Sequence, residues 1–313
     1  MSETNTDSAT KKLVVVTGSN KGIGLEICRQ LATIGFIVVL TARDEKRGVE
    51  AVEKLKGSGL SHVVFHQLDV MDPASIASLA DFIKTQFGKL DILVNNDGIT
   101  GFVLNDEAKR VVKAVEGLNF TCPKINQNEL FLLMQVEVCL AKQSELAIQT
   151  HETTNECVQT NYYGTKRVTE ALLSLLQLSD SPRIVNVSSS LGQLQLVTDP
   201  WAKEVLSNED GLTEERVDDV LNKFLKDFSQ DSKGWPAYTI SKAAINAYTR
   251  FLARKFPKFR INCVCPGYVK TDINYNTGIF TVEEGAAGPV KLALLPDDGP
   301  SGFFFFRKEV STV

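Results

Sequence analysis

The segment "AYTISKAAINAY", Ala237 to Tyr248, sets a tyrosine and a lysine four positions apart in a stretch with helical spacing. On a helix, residues i and i+4 share a face, so Tyr238 and Lys242 are neighbours, and Ala243, Ala244 and Ala247 let that helix approach others closely. A phenol beside an ammonium has the makings of a proton donor: free tyrosine titrates at about 10, and adjacent positive charge favours the phenolate and draws the group toward neutrality. The pair also arises by chance in amphipathic helices, with the lysine simply solvated, and taken alone it does not separate the two readings.

A second group lies near the start of the chain. Thr17-Gly18-Ser19-Asn20-Lys21-Gly22-Ile23-Gly24 follows the β-branched run "LVVV" and opens a helical pattern. Glycines there let the backbone turn tightly and approach a pyrophosphate, and the amides and dipole of the helix start favour its negative charge. Dinucleotide binding is the expectation; a purely structural turn is the alternative. The next strand ends Thr41-Ala42-Arg43, where an NAD-type site wants a carboxylate for the adenosine ribose diol. Arg43, with Arg47 and Lys21, instead supplies cations suited to a 2′-phosphate, which favours NADPH. The alternative is that Arg43 is a solvated charge and Asp44 grips a diol.

These groups need a scaffold. Lys12 to Arg43 reads strand, loop, helix, strand, a βαβ unit, and its continuous apolar strands imply a parallel sheet covered on both faces. "VVFHQLDV", "DILVNND", "PRIVNVSS", "RINCVCPG" and "SGFFFFRK" are further strands, with helices over Pro73–Phe87, 155–177 and 238–256 between them. The fold class is α/β, a doubly wound Rossmann arrangement with a mostly parallel sheet of about seven strands and helices on both faces. The run "FFFF" at 303–306 is read as a buried strand and not as an aromatic binding face.

Two stretches break the rhythm. Between Gly98 and His151 there is no clear strand alternation, and the apolar block "ELFLLMQVEVCLA" stands there. Between Gly192 and Trp235, "LTEERVDDVLNKFLKDF" makes an amphipathic helix through Val217, Val220, Leu221, Phe224, Leu225 and Phe228, with acidic residues in its first turn. Both are expected as lid-like insertions, at about 99–150 and 193–236, beside the carboxyl edge of one domain spanning 1–313.

Composition removes other classes. The chain has 313 residues, 43% of them hydrophobic, and a net charge of −4 with no basic stripe, so nucleic acid is not an expected partner. The six cysteines show no CxxC pair and no metal-ligand spacing with His62, His66 or His151, and are expected to be reduced core thiols, with no metal. No apolar run approaches membrane-spanning length and the start is polar, so no membrane partner and a cytoplasmic location are the expectations. Ser189 lacks the G-x-S-x-G elbow of a serine hydrolase.

In order along nearly the whole chain, these pieces resemble the short-chain dehydrogenase/reductase family. "TGSNKGIG" looks like the family's TGxxxGxG loop, Asp69-Val70 its adenine-contacting pair, and Asn95-Asn96-Asp97-Gly98 its NNAG motif. Asn161 in "QTNYYG", Ser189 in "IVNVSSS", Tyr238 and Lys242 match its active-site residues. "PGYVKT", with Pro266, Gly267, Val269 and Thr271, matches the segment that holds the nicotinamide. The resemblance implies that Tyr238 donates a proton to a carbonyl oxygen as hydride reaches its carbon. Lys242 lowers the tyrosine pKa and binds the nicotinamide ribose, Ser189 hydrogen-bonds the substrate oxygen, and Asn161 fixes a water that resupplies protons through Lys242. A known branch of close relatives that saturates C=C bonds lacks this tyrosine, so its presence favours ketone reduction. Asp97 departs from the pattern, standing where the family usually has alanine.

The long interval from Ser189 to Tyr238 resembles the monomeric carbonyl reductases, which implies a monomer. Together with "NKGIG", "FHQLDV", "FGKLDILVNN", "LTEERVD", "NAYTR" and "LALLPDDGPSGFFF", both insertions are similar to the plant menthone or neomenthol reductases, isopiperitenone reductase and salutaridine reductase. "GWPAYTISK" is shorter than these relatives just before the tyrosine. An apolar lid suits a bulky hydrophobic ketone. The expected substrate is a monoterpenoid ketone such as menthone, reduced to neomenthol or menthol, with an alkaloid ketone such as salutaridine as runner-up. A non-catalytic NADPH-binding regulator is the reading from another class.

Overall fold

Leu13–Val16 forms strand β1 with all four residues buried, as an apolar run covered on both faces must be. The structure, a computed structural model, describes residues 11–104, 147–228 and 236–312. Strands β2 (Ile37–Ala42), β3 (Val63–Gln67) and β4 (Ile92–Asn95) follow, then the short β5 (Val103–Leu104) and β6 (Ala147–Ile148), then β7 (Arg183–Val187), β8 (Arg260–Cys265), β9 (Phe304–Phe306) and β10 (Glu309–Ser311). The main sheet has the order β10-β9-β8-β7-β4-β1-β2-β3. Neighbours are parallel except β9 and β10, which pair antiparallel. The expected seven parallel strands are thus joined by an eighth on the edge, a short return of the chain from the phenylalanine strand.

The chain runs outward from β1 to β3 and then crosses back to β4 on the other side of β1. That reversal opens a crevice at the carboxyl ends of β1 and β4, where ligands of such sheets bind. Helices α1 (Gly22–Thr33), α2 (Glu45–Gly57) and α9 (Val282–Ala293) cover one face through Ile27, Leu31, Val52, Leu55 and Leu292. On the other face lie α3 (Pro73–Phe87), α4 (His151–Val158), α5 (Thr165–Leu176) and α8 (Pro236–Lys255), packed through Leu79, Leu172, Leu176 and Leu252.

Within the expected helix over 155–177, α4 starts earlier, at a capping box made by Thr150 and Thr153, and a π-turn over Gln159–Gly164 separates it from α5. Between β7 and α8 lie α6 (Pro200–Ser207) and the expected amphipathic helix, α7 (Glu214–Asp227). Val217, Val220 and Leu221 of α7 are buried, with Phe224 and Leu225 packed partly against the same core. Lys166 of α5 fastens it, lying 2.7 Å from Glu214 and 2.6 Å from Asp218. The other insertion enters through β5 and leaves through β6, which pair antiparallel; the apolar block at 129–141 lies outside the described residues. Phe304 and Phe305 are buried strand residues, and Cys28, Cys157, Cys263 and Cys265 are buried free thiols.

Candidate active site

The glycine loop follows β1. Gly18 and Gly22 have φ of 58° and 56°, a left-handed conformation that side chains resist. Gly24 serves close approach: a Cβ there would lie 2.5 Å from Asn96 Nδ2 and 2.7 Å from the Gly18 carbonyl oxygen. Helix α1 starts at Lys21 with no side-chain cap. By contrast, an Asp or Thr side chain caps each of α2, α3, α4, α6, α7 and α9. Uncapped first-turn amides, reinforced by the helix dipole, form an anion site, so the loop fits a pyrophosphate.

Gly18, Asn20, Lys21, Gly22, Ile23 and Gly24 line a cleft of about 1040 Å³. Ser19 does not: its buried Oγ donates to the Val16 carbonyl at 2.8 Å and accepts the Thr41 amide at 3.0 Å, bolting the loop to β1 and β2. Lys21 reaches Asp272 at 2.6 Å, joining the glycine loop to the segment after β8. Arg43 and Arg47 are exposed beyond the end of β2. Asp44 Oδ1 accepts the Arg47 amide at 3.0 Å, which commits that carboxyl to capping α2.

The other expected cofactor residues divide into framework and lining. Asn95 is buried and donates to Thr169 Oγ1 at 3.0 Å and Asn186 Oδ1 at 2.8 Å, tying β4 to β7 and α5. Val70 is buried beside Gly164, and Asp69 Oδ1 accepts the Met71 amide at 2.9 Å. Asn96 Nδ2 donates to the carbonyls of Thr17 and Gly18, both at 3.0 Å. Asn96, Asp97, Gly98, Pro266, Gly267, Val269 and Thr271 all line the cleft.

The Asp97 backbone amide is held by Thr17 Oγ1 at 3.0 Å. Its side chain lies against the glycine loop, with Oδ1 2.9 Å from where a Cβ on Gly18 would stand. Burial pushes this carboxyl above the ordinary range, against the Gly98 amide and the charges of Arg43 and Lys242, which act the other way.

Tyr238 and Lys242 lie one helical turn apart on α8, with Lys242 Nζ 5.6 Å from the centre of the Tyr238 ring. Lys242 is not solvated: it is 3% exposed and donates to the Val187 carbonyl at the end of β7 at 2.9 Å. Burial lowers its pKa to about 8. Asn161, on the π-turn, is fully buried; its Oδ1 accepts the Ile99 amide at 2.8 Å while Nδ2 donates to the Ile99 carbonyl and to Ser241 Oγ, each at 3.0 Å. A Cβ on Gly98 would lie 3.3 Å from Asn161 Oδ1 and 3.4 Å from Lys242 Nζ, so that glycine joins the two groups. Ser189 lines the cleft, its Oγ accepting the Leu191 amide at 3.1 Å. Burial pushes the Cys157 thiol beside Asn161 up to about 12, which keeps it a protonated core group.

Beyond Tyr238 the cleft is walled by Leu196, Val197, Val220, Phe224 and Phe228, from the 193–236 insertion. At its rim Lys223 bridges Asp199 at 2.7 Å and Asp227 at 2.9 Å. Sequence reasoning missed Val187, Ile99 and Ser241. The first two act through backbone carbonyls, which carry no residue-type signal, whereas Ser241 sits inside the segment that raised the Tyr/Lys question. Among the described residues no cluster of side chains is arranged to hold a metal, and no helix is long and apolar enough to cross a membrane.

Comparison with known proteins gives the same outline. The short chain dehydrogenase family model matches residues 12–137, and one described as enoyl-(acyl carrier protein) reductase matches 228–289. A (+)-neomenthol dehydrogenase of Capsicum annuum is 54% identical, with 96% of this chain and 97% of that protein covered. The solved structure of salutaridine reductase from Papaver somniferum superposes with a TM-score of 0.82 at 53% identity, covering 95% of this chain and 99% of that one. Carbonyl reductase [NADPH] 1 of Mus musculus is 36% identical over 97% of this chain and 99% of its own length. With such identity along almost its full length, and with a glycine loop that fits a pyrophosphate, the chain belongs to the short-chain dehydrogenase/reductase family of oxidoreductases.

Proposed function

We propose that the protein reduces a bulky hydrophobic ketone to a secondary alcohol with NADPH, a monoterpenoid ketone such as menthone being the first choice. The observation that carries this reading is that Tyr238, Lys242 and Ser189 line one cleft at the carboxyl edge of the sheet, next to an apolar wall of Leu196, Val197, Val220, Phe224 and Phe228. NADPH, when bound, supplies hydride to the carbonyl carbon. Tyr238 gives its proton to the carbonyl oxygen, so charge does not accumulate there. Lys242, cationic below about 8, favours the tyrosinate left behind. Ser189 Oγ orients the carbonyl oxygen, and Asn161 holds the backbone at Ile99, from where a water would resupply protons to Lys242.

Several features support the choice of cofactor and substrate. Arg43 stands at the end of β2 and Arg47 in the first turn of α2, while Asp44 is engaged in capping α2 and lies 3.7 Å from Arg47 Nε, which favours a 2′-phosphate over a diol. Leu196, Val197, Phe224 and Phe228 offer a hydrophobic ketone dispersion contacts and exclude water from the transfer. Packing of α7 on α8 supports a monomer by resemblance to the monomeric carbonyl reductases, in which the added segment covers the helix face that other members use to associate.

An alkaloid ketone is the second reading, favoured by the carboxylates of Asp199 and Asp227 on the rim, which together outweigh Lys223 and suit a protonated amine. The test is the initial rate of NADPH oxidation with menthone and with salutaridine, beside NADH, in the wild type and in Tyr238→Phe. NADPH-dependent turnover lost in the variant supports the reading. NADPH bound without turnover of either ketone would point to the regulatory alternative.

A further inference from the structure

Four carboxylates line the cleft, and three of them have ion-pair partners: Asp272 pairs with Lys21, and Asp199 and Asp227 share Lys223. The fourth, Asp97, has no ion pair among the described residues, and its polar contact is the Gly98 backbone amide. No framework role accounts for it. The bond that fixes this turn runs from the Asp97 backbone amide to Thr17 Oγ1, which any residue would make. Its carboxyl caps no helix.

The position is costly. Asp97 is half-buried at the mouth of an anion-binding loop, its Oδ1 within 2.9 Å of where a Gly18 Cβ would stand. A carboxylate there opposes any phosphate held nearby, and its own burial disfavours its charge. The cations whose fields reach it are Arg43, at the end of β2, and Lys242, at the reacting end. Asp97 therefore feels both the cation that would read a 2′-phosphate and the lysine of the catalytic helix, with the Asp69 carboxylate acting against them. Carboxylates are also the groups by which dinucleotide sites hold a free ribose diol.

We propose that Asp97 limits discrimination between the two nicotinamide cofactors: its carboxylate offsets the attraction of Arg43 for a 2′-phosphate and offers a hydrogen-bond acceptor to an unphosphorylated ribose. NADH thereby competes with NADPH more evenly than Arg43 and Arg47 alone would allow. This inference rests on the dinucleotide reading of the cleft given above.

The test is binding, without substrate, to the full chain. NADPH and NADH are titrated by fluorescence, and 2′,5′-ADP and 5′-ADP by calorimetry, in the wild type, Asp97→Ala and Asp97→Asn. Loss of one charge near a phosphate is expected to tighten NADPH and 2′,5′-ADP about tenfold, with NADH and 5′-ADP unchanged or weaker. Asp97→Asn keeps the shape and hydrogen-bonding capacity, so the same gain for NADPH there identifies charge as the cause. A preference that moves less than about twofold in both variants overturns the proposal while leaving the dinucleotide reading intact. Equal weakening of every ligand in Asp97→Ala, restored in Asp97→Asn, also overturns it and makes Asp97 a framework residue. A wild type that binds none of the four ligands sinks the dinucleotide reading itself, which separates the two failures.

Discussion

Asn161 donates to Ser241 Oγ at 3.0 Å, and Ser241 in turn donates to the Tyr238 carbonyl at 2.8 Å. The π-turn is thus stitched to the first turn of α8, and the residue just before Lys242 holds both the asparagine and the tyrosine backbone in place. A π-turn widens the helix locally and leaves its backbone groups less evenly paired, an arrangement often found at functional sites.

From this bond we expect a graded series. Asn161→Ala removes the clamp on Ile99 as well as the bond to Ser241, and should lower kcat by about a hundredfold, in the range typical for a proton-transfer component. Ser241→Ala should cost about 1 kcal/mol of stability and only a severalfold loss of kcat, recovered in Ser241→Thr. Steady-state kinetics beside urea unfolding measure both; equal loss of kcat in the two serine variants would show that the hydroxyl does not matter.

Lys242 gives a stability prediction with a definite sign. Its folded pKa of about 8 lies below the usual lysine value of 10.5, so between these values the unfolded chain binds the extra proton. Stability therefore rises with pH across that window, and below about 8 the folded state carries the full cost of a buried ammonium. Lys242→Met should abolish turnover yet raise unfolding stability at pH 7 by about 1 to 3 kcal/mol, part of the gain being offset by the unpaired Val187 carbonyl. The gain should fade as the pH approaches the free-lysine value. Denaturant titrations at pH 7 and pH 10 decide it, and a variant less stable at pH 7 would contradict the account.

The fastening of α7 is open to the same kind of test. Lys166 is 13% exposed between Glu214 and Asp218, and the nearby Glu170 carboxyl is raised by burial and by Glu214. Lys166→Met leaves these acids together without their cation, and should cost about 2 kcal/mol at pH 7. The Glu170 carboxyl is raised above the ordinary range, so its repulsion of Glu214 is present above that raised pKa and disappears as it protonates; the penalty should shrink as the pH falls through it. Because Val220 and Phe224 of the same helix line the cleft, KM for the ketone should rise more than kcat falls.

Much of this site was legible in the chain because its signals are local. Glycine spacing after a β-branched run, Arg43 at a strand end and the Tyr238/Lys242 pair each lie within one element, where residue type and period report geometry directly. Helix α3 was bounded at Pro73–Phe87 because Asp72 caps it, Pro73 starts it and Gly88 ends it. The interruption at Gln159–Gly164 was hidden, since a π-turn keeps an apolar pattern close to helical. Strand β10 and helix α6 were missed for being short, although Asp199 followed by Pro200 is a helix-start signal. The partners of Lys242 and Asn161 could not be read at all, because the carbonyls of Val187 and Ile99 are presented by topology.

The pairing of β5 with β6 has a consequence for how such an enzyme diversifies. Val103 meets Ile148 and Leu104 meets Ala147, so the chain departs and returns at one doorway. The entropy of closing a stretch of chain between two such strands grows only with the logarithm of its length. Natural selection, or an engineer, can therefore change the length of the interval between Leu104 and Ala147 at small entropic cost while the strand pairing keeps its two ends side by side.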